Sequence, residues 1–275
     1  MDIYSLHVGQ GQFVVVRGDS EAIIVDTFVP LNPQVEIVYV KGALTEILSR
    51  RPRKLIGLMV TGFDADHFNE VGLQIVLNKY RPKWIMYPRY YKQATNATRC
   101  FQCIRRFETV TSFQTISACV SDSGRVVYRD LCRDFLLEVF SPHVDDITSS
   151  NSGSLVCRIE ERSTGVSYLV TGDTESERWG SIVEDFGDYL KSDVLAAPHH
   201  GSRNGITEEA MRCIDPHTVI ISACVDNRYG HPDEEALELF ESFECEVFST
   251  NDSGGQSLRT CATSSEHIQT KAFYV

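Results

Sequence analysis

The chain has 275 residues, 42% of them hydrophobic, with 26 Lys and Arg against 38 Asp and Glu and a formal net charge of −12. This length suits one large domain with a single core, and the charge repels polyanions on average, so any contact with nucleic acid has to be local. No apolar run approaches the roughly 20 residues of a membrane span, and the opening MDIYSLHVGQGQFVVV lacks the features of a secretion signal, so the expectation is a cytoplasmic protein that makes no membrane contact.

In chain order, FVVVR and AIIVDT read as two strands of a hairpin turning at Gly18 and Asp19, followed by a helix from about Val35 to Arg50. LIGLMVT is a short buried strand that runs into the acidic loop GFDADH, after which NEVGLQIVLNKY has helical spacing. A polar loop between strand and helix builds sites, because ligands gather beyond the carboxyl ends of strands. The second half alternates in the same way. LEVFS, SLVCRIE and SYLVTGD are predicted strands, with a helix near Glu175 to Tyr189, the strand DVLAAP and a helix from Thr207 to Cys213. HTVIISA, a helix from Pro232 to Phe243 and CEVFST complete the pattern. Two such halves suggest two packed sheets with helices outside, as one domain over residues 1–275. The least regular part, about 92–134, reads as an insertion or cap.

The nine cysteines are odd in number and mostly sit in apolar segments, as reduced core cysteines do. Cys100 and Cys103 form the one tight pair, which would need Cys119 and Cys132 to complete a zinc site.

Five polar clusters carry the chemistry: TGFDADH (61–67), NSGSL (151–155), TGD (171–173), PHHGS (198–202) and YGHP (229–232). Asp, His and small residues are what a cation bound by carboxylate and imidazole needs. Singly, each has another reading. Asp64 and Asp66 can cap the helix that follows, TGD can be a turn, and His231 can simply precede Pro232 at a helix start.

The order VGQGQ, IIVDT, DADH, NSGSL, LVTGD, PHHGS and YGHP resembles the ComEC branch of the metallo-β-lactamase superfamily, from residue 4 to VFSTNDSGG near the end. The resemblance implies an α/β fold, a four-layer αββα sandwich, and metal-dependent hydrolysis with phosphodiester bonds as the suspected substrate. Asp66 and His67 match that family's second metal position, Asp173 its bridging carboxylate, and His199 or His200 its late histidine ligand. Gly62 stands where the family has the first histidine of its metal loop. Asp64 remains at that first position, and Gln12 and His7 replace aspartates of the opening motif. His7 would rescue the first position if its loop reached the site.

The expectation is one divalent metal per chain, zinc or manganese, that polarises a phosphoryl oxygen and lowers the pKa of water. His231 would serve as acid or phosphate contact. Ser202 would join Asp66 and His231 in catalysis, with Asn151 contacting substrate. From Val71 to Phe107 there is no acid, but many bases and aromatics, including Arg105, Arg106, Tyr90, Tyr91 and Lys92. This stretch is expected to meet a nucleotide or single-stranded nucleic acid. Alternatively Trp84 and Tyr87 are core residues of the strand WIMY and the charges are solvated. The rival function is a degraded enzyme that senses a ligand or binds a protein partner, as in a bacterial defence system.

Overall fold

The computed structural model describes residues 1–30, 33–49, 54–89, 94–122, 124–144 and 149–274. Arg50, Tyr90, Tyr91 and Lys92 lie outside these described residues. In chain order the first half holds β1 (Asp2–Ser5), β2 (Val14–Arg17), β3 (Glu21–Val25), α1 (Pro33–Ser49), β4 (Lys54–Met59), α2 (Glu70–Lys79), β5 (Trp84–Pro88), α3 (Thr95–Glu108) and β6 (Gln114–Ala118). The second half holds β7 (Val126–Tyr128), β8 (Phe135–Ser141), β9 (Val156–Glu161), β10 (Ser167–Val170), α4 (Ser176–Phe186), β11 (Val194–Ala196), α5 (Glu208–Ile214), β12 (Thr218–Ile221), α6 (Glu234–Ser242) and β13 (Glu246–Ser249). Two strands, β14 (Ser257–Ser264) and β15 (His267–Phe273), return to the first half.

They form two sheets, in the orders β15-β14-β1-β2-β3-β4-β5-β6 and β13-β12-β11-β10-β9-β8-β7. The continuous apolar runs follow from burial of the first sheet on both faces. Val14, Val16, Ile23 and Val25 point into the core between the sheets, while their neighbours Val15, Ala22 and Ile24 pack against α1, α2 and α3. Helices α4, α5 and α6 cover the second sheet through Trp179, Met211 and Phe240. The expected αββα layering is therefore present, and β2–β3 is the predicted hairpin.

Within the stretch 92–134, where the sequence suggests an insertion or cap, the described elements are α3, β6 and β7. Strand β6 extends the first sheet beside β5 and β7 ends the second beside β8. The apolar stripe of α3, Ala97, Cys100 and Ile104, recurs at helical spacing and is buried in the outer cluster with α2. Polar neighbours hid that stripe from the sequence reading. The cysteines do not form a zinc site. Cys100 and Cys103 lie on the buried face of α3, on the outer side of the first sheet, and Cys132 lies between the sheets. Burial pushes the Cys100 thiol up to about 12, so it stays protonated. Trp84 is a core residue, 2% exposed.

Candidate metal centre

Loops beyond the carboxyl ends of β3, β4, β10, β11 and β12 converge, and main-chain hydrogen bonds lock them together. Thr27 N–H donates to His67 O at 2.8 Å, Gln12 N–H to Asp66 O at 2.9 Å, Leu155 N–H to Thr61 O at 2.8 Å and His199 N–H to Gly172 O at 3.0 Å. Gly172 has φ +53°, and a Cβ there would lie 3.0 Å from Thr61 Cβ and 3.1 Å from Ser154 Cβ, so glycine permits the loops after β4 and β10 to touch.

Inside this junction His67 Nε2 lies 2.9 Å from Asp173 Oδ1, and His200 Nε2 lies 3.7 Å from the same oxygen. Asp66 Oδ2 stands 3.9 Å from His200 Nε2 at the rim. His67, Asp173 and His200 are all buried, and each offers a ligand atom within 4.8 Å of the others. The imidazoles are oriented from behind. His200 Nδ1 donates to Ser222 O at 2.7 Å, which leaves its Nε2 lone pair facing the cluster. His67 Nδ1 lies 3.0 Å from Asp26 Oδ2, and Thr61 fixes that carboxylate with its N–H at 2.7 Å and its hydroxyl at 2.5 Å.

Burial opposes charge on His67, yet Asp173 and then Asp26 outweigh it and hold the imidazole well above its usual pKa. Burial would likewise raise Asp173, but His67 and then His200 hold its carboxyl well below the ordinary range. Beyond this pairing with one another, His67 Nε2, Asp173 Oδ1 and His200 Nε2 are buried without a hydrogen-bond partner. Two imidazole nitrogens and a carboxylate oxygen that converge in this way could hold a divalent cation. With Asp66 they would form its ligands.

Asp26→Asn keeps the size of the side chain but removes the charge behind His67. The expected outcome is a fall in metal affinity of about 10–100-fold, measured by chelator competition, with the circular dichroism spectrum unchanged.

No family model matches the chain. In sequence it is similar to ComE operon protein 3 of Bacillus subtilis (strain 168), 30% identical over 202 residues, which cover 74% of this chain and 24% of that protein. In structure it is similar to Igni18, a metallo hydrolase of the archaeon Ignicoccus hospitalis, with a TM-score of 0.57, 14% identity and coverage of 94% of this chain and 98% of that one. A diphosphatase of the PhnP family aligns with a TM-score of 0.51, 13% identity and coverage of 94% and 97%. The chain has the metallo-β-lactamase fold. It spans about a quarter of the length of that Bacillus subtilis protein.

Within the metallo-β-lactamase fold the predicted site residues separate into three groups. Asp66, His67, Asp173 and His200 meet as described. Asp64, Asn151, His199 and His231 line the cavity of about 670 Å³ outside the cluster. The choice between the two adjacent histidines falls on His200, because left-handed backbone at both, φ 48° and 56°, splays their rings. His199 Nδ1 points instead towards Glu175 Oε1 at 3.2 Å, an oxygen that also accepts from Asn151 Nδ2 at 2.9 Å.

The third group lies elsewhere. Ser202 is buried in its own loop, where its hydroxyl accepts from Asn204 N–H at 3.3 Å. The His7 ring packs against Gly255 and does not reach the cluster. Arg105 and Arg106 occupy the last turn of α3, which runs back along the first sheet away from the metal loop, and neither lines the cavity. A Cβ at Gly62 would meet nothing closer than His67 Cδ2 at 3.4 Å, so a crowded backbone does not require glycine there.

Sequence reasoning gave no role to Asp26, although it lies within the quoted motif IIVDT, nor to Asn227, Arg228 and Tyr229, the last of which opens the quoted motif YGHP. Their signal was adjacency to a motif residue on a loop rather than any pattern of their own.

Proposed function

We propose that the chain is a metal-dependent hydrolase of phosphodiester bonds in a nucleotide or nucleic acid, using one divalent metal, zinc or manganese, held by Asp66, His67, Asp173 and His200. The observation that carries this reading is the convergence of three buried, unsatisfied ligand atoms at the floor of an open cavity. Its structural relatives include a metallo hydrolase and a diphosphatase. When bound, such a metal supplies Lewis acidity towards an ester oxygen and lowers the pKa of water.

The chain's own residues do the rest. Asp26 and the Ser222 carbonyl hold the two imidazoles in the tautomers that face the metal. Burial lowers the pKa of His231, more than Asp233 at 3.4 Å restores it, so the ring is largely neutral at pH 7. A neutral imidazole donates one N–H, which suits contact with a phosphoryl oxygen better than delivery of a proton to the leaving group. Asn151, which is bonded to Glu175 and lines the cavity, would contact the same substrate.

Protein purified without added metal should hold about one divalent ion per chain and cleave bis(4-nitrophenyl) phosphate in proportion to that content. Two fully occupied metals would overturn the single-metal assignment. A fully loaded protein that cleaves no phosphodiester would overturn the hydrolase reading and favour the sensing or partner-binding one, which Gly62 supports.

A further inference from the structure

The cavity above the metal cluster is acidic: Asp64, Asp66 and Asp173 line it, and Arg228 is the one Lys or Arg among its described lining residues. An anionic ester entering such a site needs cationic compensation. We propose that Arg228 is the anion contact of this cavity, held in place by a stack on Tyr229 and His231, and that the site selects esters carrying one negative charge over their neutral counterparts. This rests on the hydrolase reading above and names the charge class of its substrate.

The geometry is a ladder of planar groups. The Arg228 guanidinium lies over the Tyr229 ring, 4.5 Å from its centre, and also donates to the Tyr229 hydroxyl. Tyr229 stacks on His231 with centres 5.9 Å apart and planes 14° apart. His231 meets His199 edge to face at 5.7 Å, next to the ligand His200. The ladder thus leads from an exposed cation towards the buried cluster. A guanidinium over an aromatic face keeps its planar donors while losing little further freedom on binding.

Asn227 builds the loop that carries this ladder. Its Oδ1 accepts from Tyr229 N–H at 3.2 Å and His231 N–H at 3.0 Å, while its Nδ2 donates to Cys224 O at 3.0 Å and His231 O at 2.5 Å. Asp226 and Gly230 take positive φ, 52° and 77°, at either side. Asn227 is therefore a positioning residue and Arg228 the contact. A divalent cation and Arg228 together offset the three carboxylates, so the Arg228 contact leaves a monoanionic diester with one excess negative charge in the site, whereas a dianionic monoester leaves two.

The test is calorimetric binding of thymidylyl-(3′→5′)-thymidine and of its uncharged methylphosphonate analogue to the protein as purified. Wild type should bind the diester about tenfold more tightly than the analogue, the scale of a charge-assisted hydrogen bond. Arg228→Ala should weaken the diester alone and abolish the preference. Arg228→Lys should recover only part of it, because an ammonium lacks the planar face that stacks on Tyr229. Tyr229→Leu should erode the preference while Tyr229→Phe largely retains it. Equal preference in wild type and Arg228→Ala would overturn the proposal. Cleavage of the diester is scored separately. A protein with the Arg228-dependent preference that cleaves nothing upholds the contact and sinks the hydrolase reading, whereas cleavage with no such preference does the reverse.

Discussion

Asp173→Ala should yield a folded protein that retains no divalent metal and has lost hydrolysis by at least about 10³-fold, a scale set by the loss of metal chemistry as a whole. Asp173 is the hub of the cluster, since His67 and His200 both approach its Oδ1, at 2.9 and 3.7 Å. Without it, two buried imidazoles face each other across rings 5.8 Å apart, with Asp66 alone left to balance a cation. His231→Ala is the contrast. That ring lies in the cavity and not in the cluster, so metal content should stay at wild-type level while turnover falls about 10²-fold, the cost of losing one donor to a developing anion. Metal analysis beside rate separates the two roles. Loss of metal in the His231 variant, or retention of metal in the Asp173 variant, would reverse the assignment of ligand and substrate contact.

The second large effect concerns packing. At Gly72, in the first turns of α2, a Cβ would lie 1.7 Å from the main-chain carbonyl oxygen of Thr27. No rotamer relieves a clash with backbone, so Gly72→Ala must push α2 away from the segment after β3. The helix is tied there by Asn69, which donates to Val29 O at 2.7 Å and accepts from Gly72 N–H at 2.9 Å. The expected loss is about 3 kcal/mol or more, a fall in Tm of roughly 6–12 °C for a domain of this size. Metal affinity should fall with it, because Thr27 N–H is what holds the His67 carbonyl. The same substitution at Gly180 should act in the opposite direction. That residue is exposed in α4 and a Cβ there meets nothing within 4 Å, so Gly180→Ala should stabilise by up to about 1 kcal/mol through helix propensity. Thermal melts of both variants check the pair, and a Gly72 variant as stable as wild type would show that α2 and the Thr27 segment can part freely.

Much of the fold was legible because its signals are local. FVVV and AIIV are buried on both faces and read as strands at once, and strand followed by polar loop followed by helix recurs as β4, the metal loop and α2. The elements that escaped are those with mixed composition. In β14 and β15 polar and apolar residues alternate, β14 with only its inward positions buried and β15 half-buried or exposed throughout, and α3 buries only a narrow stripe beneath Arg, Gln and Thr. Such segments become ordered by what they pack against, which no window of sequence contains.

The site divides in the same way. Sequence by itself determined its chemistry: DADH, TGD and PHHGS supply carboxylate and imidazole donors, and residue 62 is a glycine that can donate nothing from a side chain. Tertiary structure decided direction and company. His200 rather than His199 enters the cluster because left-handed backbone turns two adjacent rings apart. Asp26 becomes the group behind His67 because the loops after β3 and β4 lie side by side. The cation over the cavity is Arg228 rather than Arg105 or Arg106 because α3 carries its last turn away from the metal loop while the loop after β12 folds over it. Residue identity fixes which bonds a side chain can make, but backbone dihedrals and the crossing of distant loops fix which of those bonds are within reach.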